Sequence, residues 1–516
     1  MSELRPDRIV RGVAWVLALA PFLWLVHRFD FVCDDAYISF RYARNFASGL
    51  GLVFNPGVEP PVEGYSELLW VLAMAVVERL GLDPGVWSRV LSVAAGVAVV
   101  GLTLGLVGRR LAARPAAFLG AALFLGCLPP LAVWSTGGMG TMPFTLAVLG
   151  CFAALFWREG APRPVAAGLA AALAVLLRAD GMGWIAVLLG GTLAAGLAGK
   201  QRALVRAAVL AGLPVFAVFL VSLVWRRLTY GDWWPNTARV KVGLSPVAFE
   251  RGANYLVHFL LTFPALVLVA LLALPAFRRF RDAASFVAFL LILVTATYAV
   301  VVGGDFMCFG RFLVPALPFA VWFLAGGLAA LEGRAGRVVT GIVAAALAAL
   351  SLLPAFDVHA VPESVRGRFR FRWNLPTFLS EYDQWHNMRA QGLVWAELGK
   401  ALAAHTSPGD SLVYGAIGGI GYYSNLFMYD RNGLVTREVS ERDPLAKPTS
   451  PGHDKAVPKA FFKKDRPTYL DAFLWPADEP LPAGLEAEEL IAIPLDAEAL
   501  GIRAGWTLWL EPYDGH

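Results

Sequence analysis

Two adjacent carboxylates, Asp34 and Asp35, stand at the end of the first long apolar run of this 516-residue chain. An ionisable group at a membrane boundary is expensive unless it is paired or used. Used as a general base, one carboxylate would take the proton from an attacking hydroxyl, while its neighbour raises its pKa or orients it. Sugar transfer from a lipid phosphate needs only such a base, because the leaving phosphate is already a stable anion, and it inverts the anomeric carbon. The plain structural reading is that one acid caps the helix beginning near Ala36. The two readings can coexist, one acid for each.

Arginine matches phosphate oxygens with its planar fork. Arg41, Arg44, Arg178, Arg239 and Arg311, with Lys241, are the cations expected on the same face as the acids. Arg311 stands out, crowded by Gly303-Gly304-Asp305 and Phe312 into an irregular loop. Long cations at helix ends also snorkel to the interface, so each has an ordinary role as well. Tyr230, Trp233 and Trp234 cluster beside Asp232 and Asn236. They could stack on a sugar ring or form the aromatic belt of a membrane interface. His453, in Pro451-Gly452-His453-Asp454, is a lone loop histidine, a type that is more often structural.

The elements that must position these residues are apolar. The chain is 57% hydrophobic and 16% charged, against roughly 25% charged in soluble domains. It reads as a polytopic membrane protein. A net charge of +5 without a basic stripe gives no reason to expect nucleic acid. Cys33, Cys127, Cys151 and Cys308 are too few for a disulfide framework, though Cys33 and Cys308 could pair. No Cys/His spacing suits a metal; a divalent cation on the paired acids is the one metal site the sequence leaves open. The N-terminus imitates a signal peptide, with Arg5, Arg8 and Arg11 before an apolar stretch containing Ala18-Leu19-Ala20. An uncleaved first span is the expectation, since cleavage would free the acids from the membrane.

Runs long enough to cross about 30 Å of hydrocarbon fall near 9–27, 86–107, 116–134, 141–157, 164–178, 182–199, 207–225, 256–277, 284–302, 312–331 and 338–355, which makes about eleven spans. With the N-terminus inside, every inner loop is short and basic: Arg109/Arg110/Arg114, Arg158/Arg163, Lys200/Arg202/Arg206, Arg278/Arg279/Arg281 and Arg334/Arg337. The outer loops then hold Asp34-Asp35, 134–138, 178–181, 230–237 and 303–305. Segments 36–48 and 65–80 are amphipathic and are expected to lie in the interface. After residue 356 the composition becomes charged and mixed. Residues 357–516 are expected to form an outer α/β domain, with an amphipathic helix at 389–404 and short apolar runs at 411–414, 426–429, 490–494 and 506–510.

Several stretches, in this order, resemble a known family. Asp34-Asp35-Ala36-Tyr37-Ile38-x-x-Arg41-Tyr42-Ala43-x-Asn45, Gly49-x-Gly51-x-Val53-Phe54-Asn55-x-Gly57 and Val62-Glu63-Gly64-Tyr65-Ser66-x-x-x-Trp70 are similar to the first outer loop of GT-C-fold membrane glycosyltransferases. The mycobacterial terminal arabinofuranosyltransferase and its bacterial homologues are the nearest in kind. Leu177-Arg178-Ala179-Asp180-Gly181, Tyr230-Gly231-Asp232-Trp233-x-Pro235-Asn236-Thr237, Gly303-Gly304-Asp305, Arg311-Phe312-x-x-Pro315 and Pro451-Gly452-His453 extend the likeness over about 30–455. The resemblance implies a polyprenyl-phosphate sugar donor, a glycan or lipid acceptor of the cell envelope, and an aspartate base, here Asp34 or Asp35 with Asp34 preferred. Donor phosphate then falls to Arg41, Arg178, Arg239, Lys241 and Arg311. Sugar and acceptor contacts fall to Tyr37, Glu63, Tyr65, Asp180, Tyr230, Trp233, Trp234, Asn236, Asp305 and His453. One departure is plain: where relatives carry an acid, this chain has Gly138-Met139-Gly140-Thr141.

The expectation is therefore a GT-C-like, all-helical membrane domain (1–356) with a C-terminal α/β domain (357–516), in a bacterial cytoplasmic membrane. Its chemistry would be inverting transfer of a sugar, with a pentose such as arabinofuranose among the candidates. A transporter or flippase of lipid-linked sugars is the rival class, and an inactive glycan-binding relative a third. Transporters place charges near the midplane within paired repeats; here no repeat is evident and the charges gather at one edge.

Overall fold

The computed structural model describes the chain except residues 1–5, 112, 159, 242–244, 278–281, 446–448, 477, 483–484, 496–505 and 514–516, and except the side chains of 6–7, 241 and 275–277. Helix α1 (Pro6–Arg28) leads into α2 (Asp34–Ala47) and α3 (Leu68–Arg79), followed by a run of apolar helices as far as Leu352. Proline opens many of these helices: Pro84, Pro115, Pro129, Pro164 and Pro246 all sit in the first turn. Its fixed φ suits that position and its missing N–H is lost nothing there. Asp83 caps the helix Pro84–Arg110 through the amides of Gly85 and Val86, and Ser245 and Asp282 cap two later ones.

Among the described residues, five helices are long and apolar enough to cross a membrane, or seven when each bent pair counts as one span. The run at 116–134 is one such pair, bent by 43° between Gly126 and Pro129. The run at 256–277 belongs to another: Pro246–Thr262 turns through 84° at Phe263 into the helix beginning at Pro264. Three further apolar helices, Thr141–Phe156, Pro164–Leu177 and Met182–Ala198, are shorter than this span length, so length alone does not establish eleven spans. The loop expected near 334–337 is a break within Leu317–Leu352 at Gly336, whose φ of 81° favours glycine.

In the C-terminal domain, Ser380 caps the long helix Glu381–His405 by accepting from the amide of Asp383. This helix starts eight residues before the expected amphipathic segment. Strands β1 (Ser411–Tyr414), β2 (Phe427–Asp430), β3 (Tyr469–Pro476), β4 (Ile491–Ile493) and β5 (Trp506–Pro512) form one sheet in the order β2-β1-β3-β5-β4. β1 runs parallel to β2 and β3, and β5 runs antiparallel to β3 and β4. Strand β3 has no counterpart among the apolar runs read from sequence. Asp471 interrupts it, and the burial of its side chains does not alternate.

The placement of α2 differs from expectation. It does not lie on a lipid surface: nine of its fourteen residues are buried, between the helical bundle and the C-terminal domain. Arg41 explains why. Its guanidinium donates to the carbonyls of Phe54 (2.9 Å), Gly421 (2.7 Å) and Leu426 (2.7 Å), and to the Asn55 side chain. Two of those carbonyls belong to the C-terminal domain, so the polar side of α2 is satisfied by protein rather than by water. Buried donors must find such partners.

Candidate active site

Asp34 and Asp35 form the first turn of α2 and line a cavity of about 270 Å³ beneath the C-terminal domain. Asp34 does not cap its own helix. Its two carboxylate oxygens accept from the amides of Gly419 (2.7 Å) and Gly418 (3.2 Å), where the short helix Gly419–Ser424 begins. Burial pushes its pKa up to about 7, and the neighbouring Asp35 charge pushes the same way against the two amide bonds. A carboxylate at this pKa accepts a proton near neutrality, which is what a general base requires. His453 lines the same cavity, with its ring edge-on to Phe306.

A second cavity, of about 200 Å³, shares Phe306 and Gly452 with the first. Arg178 and Arg311 line it, with Asp180, Asp305 and Trp234. Arg178 is paired two-pronged with Asp180 (2.8 and 2.6 Å) and reaches Tyr298 (3.2 Å). Arg311 Nε donates to Asp305 (2.7 Å), and its Nη1 to the sulfur of Met139 (3.0 Å). In each pair the carboxylate orients the guanidinium and leaves part of its donor fork facing the cavity. Four of the five loops read as sharing one face contribute to these two cavities, and Met139 lies just past the fifth.

Other residues singled out from the sequence lie elsewhere. Arg41 is spent on the Phe54 loop and on carbonyls of the C-terminal domain, and lines neither cavity. Arg239 is paired with Asp232 and Glu441, and the Lys241 side chain lies outside the described residues. Tyr37 packs on Phe40, Tyr422 and Tyr423. Glu63 pairs with Arg226, and Tyr65 bonds Tyr230 (2.9 Å). Asn236 donates to the carbonyls of Gly433 and Leu434, both at 2.8 Å. This group fastens the first long loop to its neighbours. Trp233 is 53% exposed and lines neither cavity. The four cysteines are buried and free, so Cys33 and Cys308 are unpaired with each other.

Glu67 carries a signal that the motif reading passed over. Its carboxylate accepts from the amide of Gly140 (2.8 Å) and lines the arginine cavity. A Cβ built on Gly140 would meet that carboxylate oxygen at 3.0 Å. An acid thus reaches the side of position 140 from another loop. Among the described residues no group of three or more His, Cys, Asp or Glu comes together, so a cation would have only the adjacent acids to hold it. That is a poor set for a tightly bound metal.

The chain is similar along nearly its whole length to a crystal structure of ArnT from Cupriavidus metallidurans bound to undecaprenyl phosphate. The TM-score is 0.60 at 14% identity, covering 97% of each chain. The apo form of that protein gives 0.51 at 15% identity, over 89% of this chain and 91% of the other. An oligosaccharyltransferase from Archaeoglobus fulgidus gives 0.49 at 12% identity, over 83% of this chain and 64% of its own. Bundle, roofed first loop and C-terminal sheet together define a multi-pass membrane protein of GT-C-like fold. Residues 381–510 match a domain of unknown function (DUF8728). No curated protein matches by sequence.

Proposed function

We propose that the chain transfers a sugar from a polyprenyl phosphate to an acceptor hydroxyl, with inversion. The observation that carries this reading is the adjoining of a carboxylate cavity and an arginine cavity through Phe306 and Gly452. Asp34 removes the proton from the acceptor hydroxyl, whose oxygen forms the new bond to the anomeric carbon. The bond from that carbon to the phosphate oxygen breaks on the opposite face. The phosphate keeps the electron pair, and Arg178 and Arg311 hold it. Asp35 keeps the Asp34 pKa high and faces the same space.

An apolar cavity of about 500 Å³ supports a lipid donor. It is lined by residues such as Phe259, Val269, Phe289 and Leu313, the last directly after Phe312 of the arginine cavity. A prenyl chain would leave the phosphate there and stay in hydrocarbon. The fold likeness to a protein crystallised with undecaprenyl phosphate points the same way. In this reading both polar cavities face the outer side of a bacterial cytoplasmic membrane, and a pentose remains among the candidate sugars.

The test is release of polyprenyl phosphate by the purified protein, followed by mass spectrometry over a panel of polyprenyl-phosphate pentoses and hexoses. Arg311→Ala is expected to weaken binding of undecaprenyl phosphate by roughly 10- to 100-fold, the worth of one charge-assisted contact. Arg239→Ala is expected to leave that affinity within about twofold, as an exposed ion pair contributes little. Equal affinities for the two variants would remove the phosphate from the arginine cavity. If the donors bind but are not cleaved while a lipid-linked sugar crosses vesicles, the transporter reading replaces this one.

A further inference from the structure

The first cavity is lined on one side by a single helix of the C-terminal domain. Gln384, Asn387, Gln391 and Trp395 of Glu381–His405 all border it, at spacings of three, four and four residues, and therefore share one helix face. Asn432 faces them from the sheet side. Gln384 uses one amide hydrogen on the Phe306 carbonyl (3.0 Å) and Asn432 one on that of Gly415 (2.8 Å), which fixes both side chains. Asn387 and Gln391 make no side-chain hydrogen bond among the described residues. Each carboxamide offers donors and an acceptor side by side, the combination that a sugar hydroxyl can answer at both its proton and its oxygen. Trp395 adds an apolar indole face, half-buried at the end of the row.

The charges of the cavity complete the argument. Asp34, Asp35 and Asp430 are in its lining, and its one arginine, Arg372, is already bound to Glu381 (3.1 Å) and to the carbonyls of Phe306 (2.8 Å) and Met307 (3.0 Å). Among the described residues, an anionic group entering here would meet three carboxylates against a single arginine already paired with Glu381, and like charges at such range repel. Two arginines, Arg178 and Arg311, line the second cavity together. The two cavities thus differ in chemistry: a pair of arginines on one side of Phe306, a row of carboxamides on the other.

We propose that the acceptor is an uncharged, hydroxyl-rich glycan end, selected by the carboxamide face of Glu381–His405. This rests on reading the cavity as a glycosyl-transfer centre, and it assigns acceptor selection to the domain of unknown function that begins at residue 381. At about 270 Å³ the cavity lies near the lower end of the ~300–1,000 Å³ typical of small-molecule sites. It suits the end of a glycan rather than its length.

The experiment titrates the full-length protein in lipid nanodiscs with short neutral oligosaccharides of arabinose, mannose and glucose, and with their sulfated counterparts, by calorimetry. Release of polyprenyl phosphate is followed separately. At least one neutral series is expected to bind, the sulfated forms not, and the double variant Asn387→Leu/Gln391→Leu about tenfold more weakly. Both side chains are exposed at the cavity mouth, so the variant should melt as the wild type does, which shows that it is folded. Equal binding of sulfated forms, equal binding by the double variant, or no neutral binding would each overturn the inference. Donor cleavage without neutral binding leaves the transfer reading standing and removes this one. Neutral binding lost in the double variant, with no donor cleaved, keeps the glycan site and removes the transfer.

Discussion

Asp34→Asn is expected to lower turnover by about 10²- to 10⁴-fold, the usual worth of a general base, and Asp35→Asn by much less. The two substitutions differ because the two carboxylates do. Asp34 is fixed by the amides of Gly418 and Gly419 and is raised to about 7. The base works only when ionised, so kcat/KM of the wild type should rise with pH and level off above about 7. Asp35 is among the causes that hold the Asp34 pKa up, as a like charge does. Replacing it by neutral Asn should move the midpoint of the pH profile to lower pH, while the plateau remains. A structural role for Asp35 would alter the plateau and leave the midpoint in place. If Asp35→Asn abolishes turnover and Asp34→Asn retains the profile, the assignments exchange. If both variants match wild type over the whole range, neither is the base.

Much of the frame was legible because apolar chains make exceptions conspicuous. Two acids after the first apolar run, and arginines beside glycine-rich loops, could be picked out by type and position alone. Asp34, Asp35, Arg178, Arg311, Asp180, Asp305, Trp234 and His453 do line the two cavities. What sequence could not distinguish is whether a polar side chain in the same motif faces a ligand or the protein. Arg41 and Asn236 are motif residues as much as Arg178 is, yet both are spent on backbone carbonyls of a domain roughly two hundred to four hundred residues further along. Such contacts depend on how the C-terminal domain docks, which no local periodicity encodes. Glu67 was hidden for the same reason: its partner Gly140 lies in another loop. The carboxamide row was hidden differently. Gln384, Asn387 and Gln391 precede or open the segment read as a helix, and their shared face exists only because the helix capped by Ser380 already begins at Glu381.

The same docking makes Gly418→Ala a severe substitution, with loss of turnover expected to match that of Asp34→Asn. A Cβ on Gly418 would collide with the Asp34 backbone carbonyl and lie 2.6 Å from its carboxyl carbon. No flexible tip can swing away there, because both groups belong to the first turn of α2. Something must shift, and overpacking of this kind typically costs about 1–3 kcal/mol. The cheaper movements either part the C-terminal domain from α2 or drive the carboxylate off the two amides. Either one removes the base from its position without touching its chemistry. Gly212→Ala, in a helix where the added methyl meets nothing within 4 Å, should leave turnover as in wild type and the melting temperature no lower. A Gly418→Ala protein that melts only slightly lower yet turns over no donor would show that the roof positions Asp34. Wild-type turnover in that variant would show instead that Asp34 works without its amide partners, and would detach the C-terminal domain from the base altogether.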